Sequence, residues 1–112
     1  MILPERGALA WVVFTLQAGH EQAGHRPALV ISPRVYHERS RLAVVCPITS
    51  NAQPWPWKVV LPDGLAVSGA ILVDQVRSID RAARRLRLVG DAPQMVVAEV
   101  QAKLAALFGI GG

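Results

Sequence analysis

The feature that most constrains the fold is a succession of short apolar runs, each ended by turn residues. Several runs are apolar at nearly every position, which is typical of strands buried on both faces. The pattern therefore predicts mostly β structure, in a small barrel or between layers, with strands near 8–16, 27–32, 42–49, 57–61, 69–76 and 85–89. With 112 residues, of which 52% are hydrophobic, we expect a single domain over residues 1–112.

Two segments are expected to be helical. Pro33 can start a short helix that continues through Tyr36 and Arg39. After Pro93, which suits a first helical position, apolar residues recur at helical spacing until Gly109, which is placed to end the helix. These residues form one apolar face of the predicted helix: Val96, Val97, Val100, Leu104, Leu107 and Phe108.

The charge balance favours an anionic partner. Twelve Lys and Arg residues face eight Asp and Glu residues, giving a net charge of +4 and a pI near 10.2. Nucleic acid, an acidic protein segment and a membrane surface all fit such a balance. The densest basic stretch could track a phosphate backbone or form a solvated face, and it holds Arg77, Arg81, Arg84, Arg85 and Arg87.

The apolar run at residues 8–16 could pass for the centre of a signal peptide. However, Glu5 precedes the run, no small-residue cleavage site follows it cleanly, and it is too short to span a bilayer. We interpret it as a core strand, and we expect a cytoplasmic protein that does not associate with membranes.

Neither cysteine nor histidine predicts a metal site. Cys46 is the only cysteine, so an intrachain disulfide is excluded, and its apolar neighbours indicate a buried, inert thiol. The spacing of His20, His25 and His37 is not that of a metal site. We expect no metal and no cofactor, with His20 and His37 on the solvated surface.

Arg26 and Thr49 are the strongest candidates for a site. Each lies at the edge of a predicted strand, next to a polar loop. A guanidinium fork and a hydroxyl held at strand ends can grip a phosphate. The structural alternatives are that Arg26 braces its loop against Glu21 and that Thr49 is an ordinary strand residue. Neither residue alone predicts a functional site, and the hypothesis of a phosphate-binding site depends on the two together.

The two polar loops offer further chemistry. Glu21 and His25 could each move a proton near neutral pH. Trp55 and Trp57 flank Pro56, with Lys58 next, and aromatic faces beside a cation can stack on unpaired bases. We expect Trp57 to be partly buried, which makes Trp55 the better stacking candidate.

Three motifs resemble the MazF/PemK family of toxins from bacterial toxin–antitoxin pairs. The first is Gly19-x-Glu21-Gln22-x-Gly24-x-Arg26-Pro27, the second Pro47-x-Thr49-Ser50, and the third Asp74-Gln75-Val76-Arg77-Ser78-Ile79. They occur in the family's order and at its spacing, and the resemblance covers nearly the whole chain. The chain departs from the family at Ala8, where an aspartate is usual after Arg-Gly, and between Val13 and Leu16, where an acidic residue and a proline are frequent.

The resemblance implies a fold and an activity. The fold is a mainly β, SH3-like small barrel with a C-terminal helix, present as a homodimer. The activity is metal-independent, sequence-specific cleavage of single-stranded RNA by attack of the 2′-hydroxyl, leaving 2′,3′-cyclic phosphate and 5′-hydroxyl ends. The implied partner is a cognate antitoxin whose acidic C-terminal tail occupies the same groove.

By similarity, Arg26 and Thr49 form the catalytic pair, supported by Glu21. The general base stays open between Arg26 and Glu21, with His25 as a third choice. The loops at 17–25 and 50–56 are expected to hold RNA bases, and Arg77 and Arg84 to contact the backbone. The base-holding candidates are Gln22, His25, Ser50, Asn51 and Trp55.

Two alternatives of other classes remain. A toxin of the same fold could instead bind and poison a protein target such as DNA gyrase, which often depends on C-terminal residues. A relative without cleavage activity could bind RNA with steep salt dependence and release no cyclic phosphate.

Overall fold

A computed structural model describes residues 2–14 and 24–111 of the chain. Within them the elements are β1 (Ala8–Val13), β2 (His25–Val30), α1 (Arg34–His37), β3 (Leu42–Thr49), β4 (Lys58–Val60), β5 (Ala70–Leu72), a 3₁₀ turn (Val73–Gln75), β6 (Arg77–Asp80), β7 (Arg87–Asp91) and α2 (Gln94–Phe108). The prediction of a mainly β chain with a C-terminal helix is confirmed.

The strands form one antiparallel sheet organised around β3. The hydrogen-bonded order is β4-β5-β3-β2-β1-β7, and β6 pairs with the first half of β3. β5 pairs with the other end of the same edge, through Ile48 and Thr49. The long strand β3 therefore connects every part of the sheet on which the candidate site is built.

The strands β1, β2 and β3 are buried on both faces, which explains their continuous apolar sequences. On one face, Leu9, Leu29 and Ile71 pack with α2. On the other, a second cluster rich in alanine and valine is covered by Leu86 and Leu88. Burial on both faces removes the alternation of polar and apolar residues that a strand with one solvated face has.

Two strand predictions were wrong in detail. The strand predicted at 69–76 ends at Leu72 and gives way to the 3₁₀ turn, and the strand β6 was not predicted. Between the pairs Ile48–Ile71 and Val45–Arg77, the partner segment contains more residues than β3 does. The 3₁₀ turn accommodates these extra residues. β6 escaped prediction because it lies beside β3 alone and buries only Ile79.

The remaining boundaries differ by a few residues. β2 begins at His25, β4 covers only Lys58–Val60, and β7 begins at Arg87. The described part of β1 ends at Val13, and residues 15–16 of the prediction lie outside the described residues.

Both predicted helices are present, although α1 ends at His37, before the predicted Arg39. Pro33 precedes α1, and Pro93 occupies the N-cap position of α2, one residue before the expected first position. Gly109 ends α2 in the left-handed conformation, with φ of 69°, as predicted from its position. Val96, Val97 and Val100 are buried, whereas Leu107 and Phe108 on the predicted apolar face are exposed.

Candidate active site

The structure brings Arg26 and Thr49 together at one end of the sheet. β2 and β3 are antiparallel, with Ala28 opposite Pro47, and the same register continued along both strands places Arg26 opposite Thr49. Residues directly opposite in an antiparallel pair project to the same face. The two residues line a common surface depression of about 380 Å³, together with His25 and Ser50.

The Thr49 hydroxyl is held by the start of the following loop. Its Oγ1 accepts a hydrogen bond from the backbone N–H of Asn51 at 3.1 Å. This local turn leaves the hydroxyl proton free to be donated to another acceptor. Thr49 is half-buried and Arg26 is exposed, so both groups are within reach of a ligand in the depression.

Gly69 fixes the position of the Thr49 backbone. Its φ is +125°, and a Cβ at this residue would collide with the Thr49 carbonyl oxygen. Only glycine allows β5 to approach β3 so closely. Gly69 was not predicted from the sequence as a site residue, although a glycine beside an apolar strand is a known sign of close backbone approach.

Hydrogen bonds shape the loop at 50–56. Asn51 Oδ1 accepts from the Gln53 N–H at 2.8 Å. Lys58 Nζ donates to the Asn51 and Gln53 carbonyl oxygens at 2.9 and 2.6 Å. Lys103 of α2 donates to the Pro56 carbonyl at 2.7 Å. The loop is thus tied to β4 and to α2, and it lines a second depression of about 550 Å³ that adjoins the first at Thr49, Ser50 and Ser68.

Trp55 is presented to solvent in a defined orientation. Its side chain is 49% exposed, and the indole Nε1–H donates to Asp74 Oδ2 at 3.1 Å. Trp57 is partly buried, as predicted. Because the Asp74 carboxylate holds the polar edge of the Trp55 indole, the ring face remains available for stacking.

A third depression, of about 350 Å³, adjoins the first at Arg26. It is also lined by Phe14, Pro47, Gln75 and Arg77. The Arg77 guanidinium lies 5.4 Å from the centroid of the Phe14 ring, within the range of a cation–π contact. Arg26 and Arg77 therefore give this depression two cations, and the three adjoining depressions make a basic cleft that passes Arg26 and Thr49.

The arginines between 77 and 87 do not form one basic face. Arg84 donates from Nη1 to the Phe14 carbonyl at 2.9 Å and lines none of the three depressions. Arg81 donates to the His37 and Ser40 carbonyl oxygens at 3.0 and 2.7 Å. These two guanidinium groups brace the backbone, while Arg77 alone among them faces the cleft.

The expectation that His37 is solvated was wrong. The side chain is buried, with its two ring nitrogens 2.7 Å from Ser32 Oγ and from the Pro4 carbonyl oxygen. Since a carbonyl oxygen only accepts, Nδ1 donates to the Pro4 carbonyl, and Nε2 shares a hydrogen bond with the Ser32 hydroxyl. Helix α1 packs on the N-terminal segment, a long-range contact that the local sequence does not reveal.

Cys46 is fully buried, and the prediction of an inert thiol is confirmed. Burial, with a smaller contribution from the Asp74 charge, raises the pKa of the Cys46 thiol to about 12. The thiol therefore stays protonated near neutral pH and is a poor nucleophile.

The candidate site residues Glu21 and Gln22 lie outside the described residues, as does His20, which was expected on the solvated surface. Among residues 2–14 and 24–111, no group of three or more His, Cys, Asp or Glu side chains is placed to hold a metal ion. In the same part of the chain, no helix has the length and apolar character needed to cross a membrane.

The fold and the cleft define a small antiparallel β protein with a C-terminal helix and an arginine–threonine pair suited to an anionic chain. Residues 5–108 match the PemK-like, MazF-like toxins of type II toxin–antitoxin systems, and the chain belongs to this family. It is 37% identical over 107 residues to the endoribonuclease toxin MazF of Escherichia coli K12, covering 96% of each chain. It is 35% identical to the endoribonuclease PemK of Escherichia coli, covering 92% of this chain and 80% of PemK.

Solved structures give the same result. MazF from Deinococcus radiodurans superposes with a TM-score of 0.89 at 47% identity, covering 98% of this chain and 100% of that one. A MazE–MazF structure from the same organism superposes with a TM-score of 0.89 at 44% identity and the same coverage.

Proposed function

We propose that this toxin is an endoribonuclease that cleaves single-stranded RNA at specific sequences without a metal ion. The observation that carries the proposal is that Arg26 and Thr49 line one depression of the basic cleft. The names of the relatives, endoribonuclease toxin MazF and endoribonuclease PemK, support the same activity.

The cleft supports cleavage by the RNA's own 2′-hydroxyl. A base removes the proton from this hydroxyl, O2′ attacks the adjacent phosphorus, and the bond to O5′ breaks. The O5′ atom takes a proton, so that the products carry a 2′,3′-cyclic phosphate and a 5′-hydroxyl. DNA lacks the 2′-hydroxyl and is expected to survive.

Arg26 and Thr49 stabilise the charge that develops on the nonbridging oxygens. The guanidinium offers two parallel N–H groups, and the Thr49 hydroxyl offers one O–H. Loss of one such donor typically lowers the rate by about 10²–10³. The base is Arg26 or Glu21, with His25 as the third candidate. His25 lines the same depression as Arg26 and Thr49, whereas Glu21 lies outside the described residues.

We further propose that unpaired bases bind along the loop at 50–56. Trp55 supplies an exposed ring face, and Ser50 and Asn51 line the depression next to it. Gln22 and His25 are the matching candidates from the first loop. Arg77 contacts the backbone phosphates, and Arg84, which is bonded to the Phe14 carbonyl, contributes mainly by holding the end of β1.

The proposed assembly is a homodimer in the cytoplasm that is inhibited by an antitoxin. An acidic C-terminal antitoxin tail would occupy the basic cleft and exclude RNA, which needs no conformational switch. The MazE–MazF structure of Deinococcus radiodurans supports an antitoxin partner of this kind.

Primer-extension mapping of cut sites on a long RNA, in EDTA, tests the proposal. We expect cuts at a recurring sequence with wild type, and rates lowered by about 10²–10³ for Arg26→Ala and for Thr49→Ala. Arg39→Ala is the matched control, because Arg39 is exposed and lines none of the three depressions. Intact RNA with folded wild type, or equal loss in Arg39→Ala, would contradict the proposal.

One observation favours a second candidate function, the poisoning of a protein target. Leu107, Phe108 and Ile110 are exposed at the end of α2. Removal of residues 109–112 together with Phe108→Ser separates the two functions. RNA cleavage by this variant should be unchanged if the cleft is the functional site, whereas toxicity that is lost while cleavage persists would favour the protein target.

A further inference from the structure

The loop at 50–56 begins directly after Thr49, and polar contacts rather than burial hold its shape. Every residue from 50 to 56 is exposed, so packing of apolar side chains contributes little to its conformation. The backbone groups of such a segment are fixed by their hydrogen bonds. Whatever holds these bonds therefore also sets the surroundings of the Thr49 hydroxyl.

Lys58, the first residue of β4, contacts the carbonyl oxygens of three alternate loop residues. Its Nζ donates to the Asn51 and Gln53 carbonyl oxygens at 2.9 and 2.6 Å. Its backbone N–H donates to the Trp55 carbonyl at 3.0 Å. An ammonium group has three N–H donors, and the loop carbonyls use two of them. A single side chain thus draws one edge of the loop onto β4.

The N–H groups of the same loop residues bond to side-chain oxygens two positions earlier. The Gln53 N–H donates to Asn51 Oδ1 at 2.8 Å, and the Asn51 N–H donates to Thr49 Oγ1 at 3.1 Å. Asn51 therefore contacts Lys58 through its carbonyl and Thr49 through its N–H. A continuous chain of hydrogen bonds runs from the Lys58 ammonium through Asn51 to the Thr49 hydroxyl.

Both ends of this chain of hydrogen bonds lie on paired strands. Lys58 of β4 is opposite Leu72 of β5, and Ala70 of β5 is opposite Thr49 of β3. Groups on strands are held more precisely than groups on loops. The sheet therefore fixes Lys58 relative to Thr49, and Lys58 fixes the loop between them.

We propose that Lys58 is a positioning residue for the Thr49 hydroxyl, an inference that rests on the proposed RNA cleavage by Arg26 and Thr49. The Lys58 ammonium holds the Asn51 carbonyl, and this keeps the Asn51 N–H on Thr49 Oγ1. With that lone pair occupied, the hydroxyl proton points away from the loop backbone and toward the scissile phosphate. Lys58 acts on the rate through Thr49 and not by binding RNA.

The test compares Lys58→Met with wild type in EDTA, on a short labelled RNA that contains a mapped cut site. Methionine keeps the apolar stem and removes the ammonium. We expect kcat to fall on the order of tenfold while KM changes by less than about twofold, because a displaced hydroxyl weakens the transition state and leaves RNA binding intact. Lys58→Arg keeps a cationic donor and should be faster than Lys58→Met.

The matched control for charge is Arg39→Met. It removes one positive charge from an exposed residue that lines none of the three depressions of the cleft. We expect its kcat and KM to equal those of wild type. An equal fall in kcat for Arg39→Met would assign the effect to net charge and overturn the proposal.

A double-mutant cycle with Thr49→Val shows whether Lys58 acts through Thr49. Valine removes the hydroxyl and keeps the shape of the side chain. In the Thr49→Val background, Lys58→Met should lower kcat by less than about twofold, because the group that it positions is gone. A tenfold fall that persists in this background would overturn the proposal.

NMR spectra of the protein without RNA give a readout that does not depend on activity. The backbone amide signals of Asn51 and Gln53 should shift in Lys58→Met and stay in place in Arg39→Met. Unshifted Asn51 and Gln53 amides in folded Lys58→Met would overturn the proposal, as would a kcat equal to that of wild type.

The dependence of kcat/KM on salt separates positioning from a phosphate contact. Lys58→Met should keep the wild-type slope on logarithmic axes, whereas loss of a phosphate contact lowers the slope by about 0.7 and raises KM. That lower slope would assign Lys58 to RNA binding and overturn the proposal. Wild type that leaves RNA intact would instead contradict the proposed endoribonuclease activity, and the amide shifts would still test the contact of Lys58 with Asn51.

Discussion

At the level of single residues, the cleft depends as much on Gly69 as on the side chains that face it. Gly69 has no side chain to offer a ligand, but its backbone lies against the carbonyl of Thr49. The position of the Thr49 hydroxyl follows from this contact and from the hydrogen bond of its Oγ1 with the Asn51 N–H. Arg26 and Thr49 could be selected from the sequence because their chemistry is local. Gly69 could not be ranked with them, because its importance lies in a contact between β5 and β3.

Gly69→Ala is expected to lower kcat for RNA cleavage by about 10²-fold, because it displaces Thr49. Gly64→Ala is the matched control, since Gly64 also has a positive φ, of +90°, but open space where a Cβ would stand. Both variants carry the cost of a positive φ, about 1–2 kcal/mol, and only Gly69→Ala adds the collision. Steady-state kinetics, measured well below the melting temperature of each variant, compare the two kcat values. Equal kcat values for the two variants would show that Gly69 does not position Thr49.

At the level of elements, β3 was predicted with its full extent, whereas its partners at one edge were not. The apolar sequence of residues 42–49 is continuous because β3 is buried on both faces. In the segment 70–80, β5 pairs with the end of β3 and β6 pairs with its beginning. The residue at which one strand ends and the other begins depends on the register with β3 rather than on local sequence. Hydrophobic patterns therefore predict central strands better than edge strands, because edge strands bury few side chains.

The turn between β6 and β7 gives a prediction about pH. Hydrogen bonding from the Ala83 N–H, with that from Ala82 and the nearby Arg41 and Arg81 charges, lowers the pKa of Asp80. A carboxyl whose pKa is lower in the folded state contributes stability above its unfolded pKa, near ~4, and loses it as the pH falls through the folded pKa. Wild type should therefore be more stable than Asp80→Asn at pH 7, and the difference should shrink below about pH 4.

Urea unfolding of both proteins at pH 7 and at pH 3 measures this difference in the free energy of unfolding. Asp63→Asn is the control for the loss of one negative charge, because Asp63 lies in an exposed turn. A difference between wild type and Asp80→Asn that stays constant from pH 7 to pH 3 would contradict the assignment.

For the molecule as a whole, stability comes from burial on both faces of one sheet. Leu29 and Ile71 pack under α2, and the alanine-rich face opposite is covered by the segment that carries Leu86 and Leu88. The periodicity of α2 was predicted correctly, but the described residues do not cover its last turn, and Phe108 is 59% exposed. A sequence shows which residues are apolar, and only the assembled molecule shows which of them are covered.

Leu29→Ala is expected to lower the free energy of unfolding by about 2–5 kcal/mol, because the side chain is fully buried in the cluster under α2. Met95→Ala is the control, because Met95 lies in α2 but is 77% exposed. This substitution should change the free energy of unfolding by less than about 0.5 kcal/mol. Urea denaturation measures both changes in the free energy of unfolding, provided that each variant has the same m value as wild type. A loss for Leu29→Ala that is no larger than for Met95→Ala would contradict this description of the core.

The sequence by itself determined the β-rich class, the C-terminal helix that ends at Gly109, the inert Cys46, and the choice of Arg26 and Thr49 as candidates. These features depend on local periodicity, on turn chemistry and on the functional groups of individual residues. The tertiary structure decided the burial of His37, the engagement of Arg81 and Arg84 with backbone carbonyls, and the contact of Gly69 with Thr49. Each of these depends on segments distant in sequence that meet only when the sheet is assembled, so no local pattern could encode it.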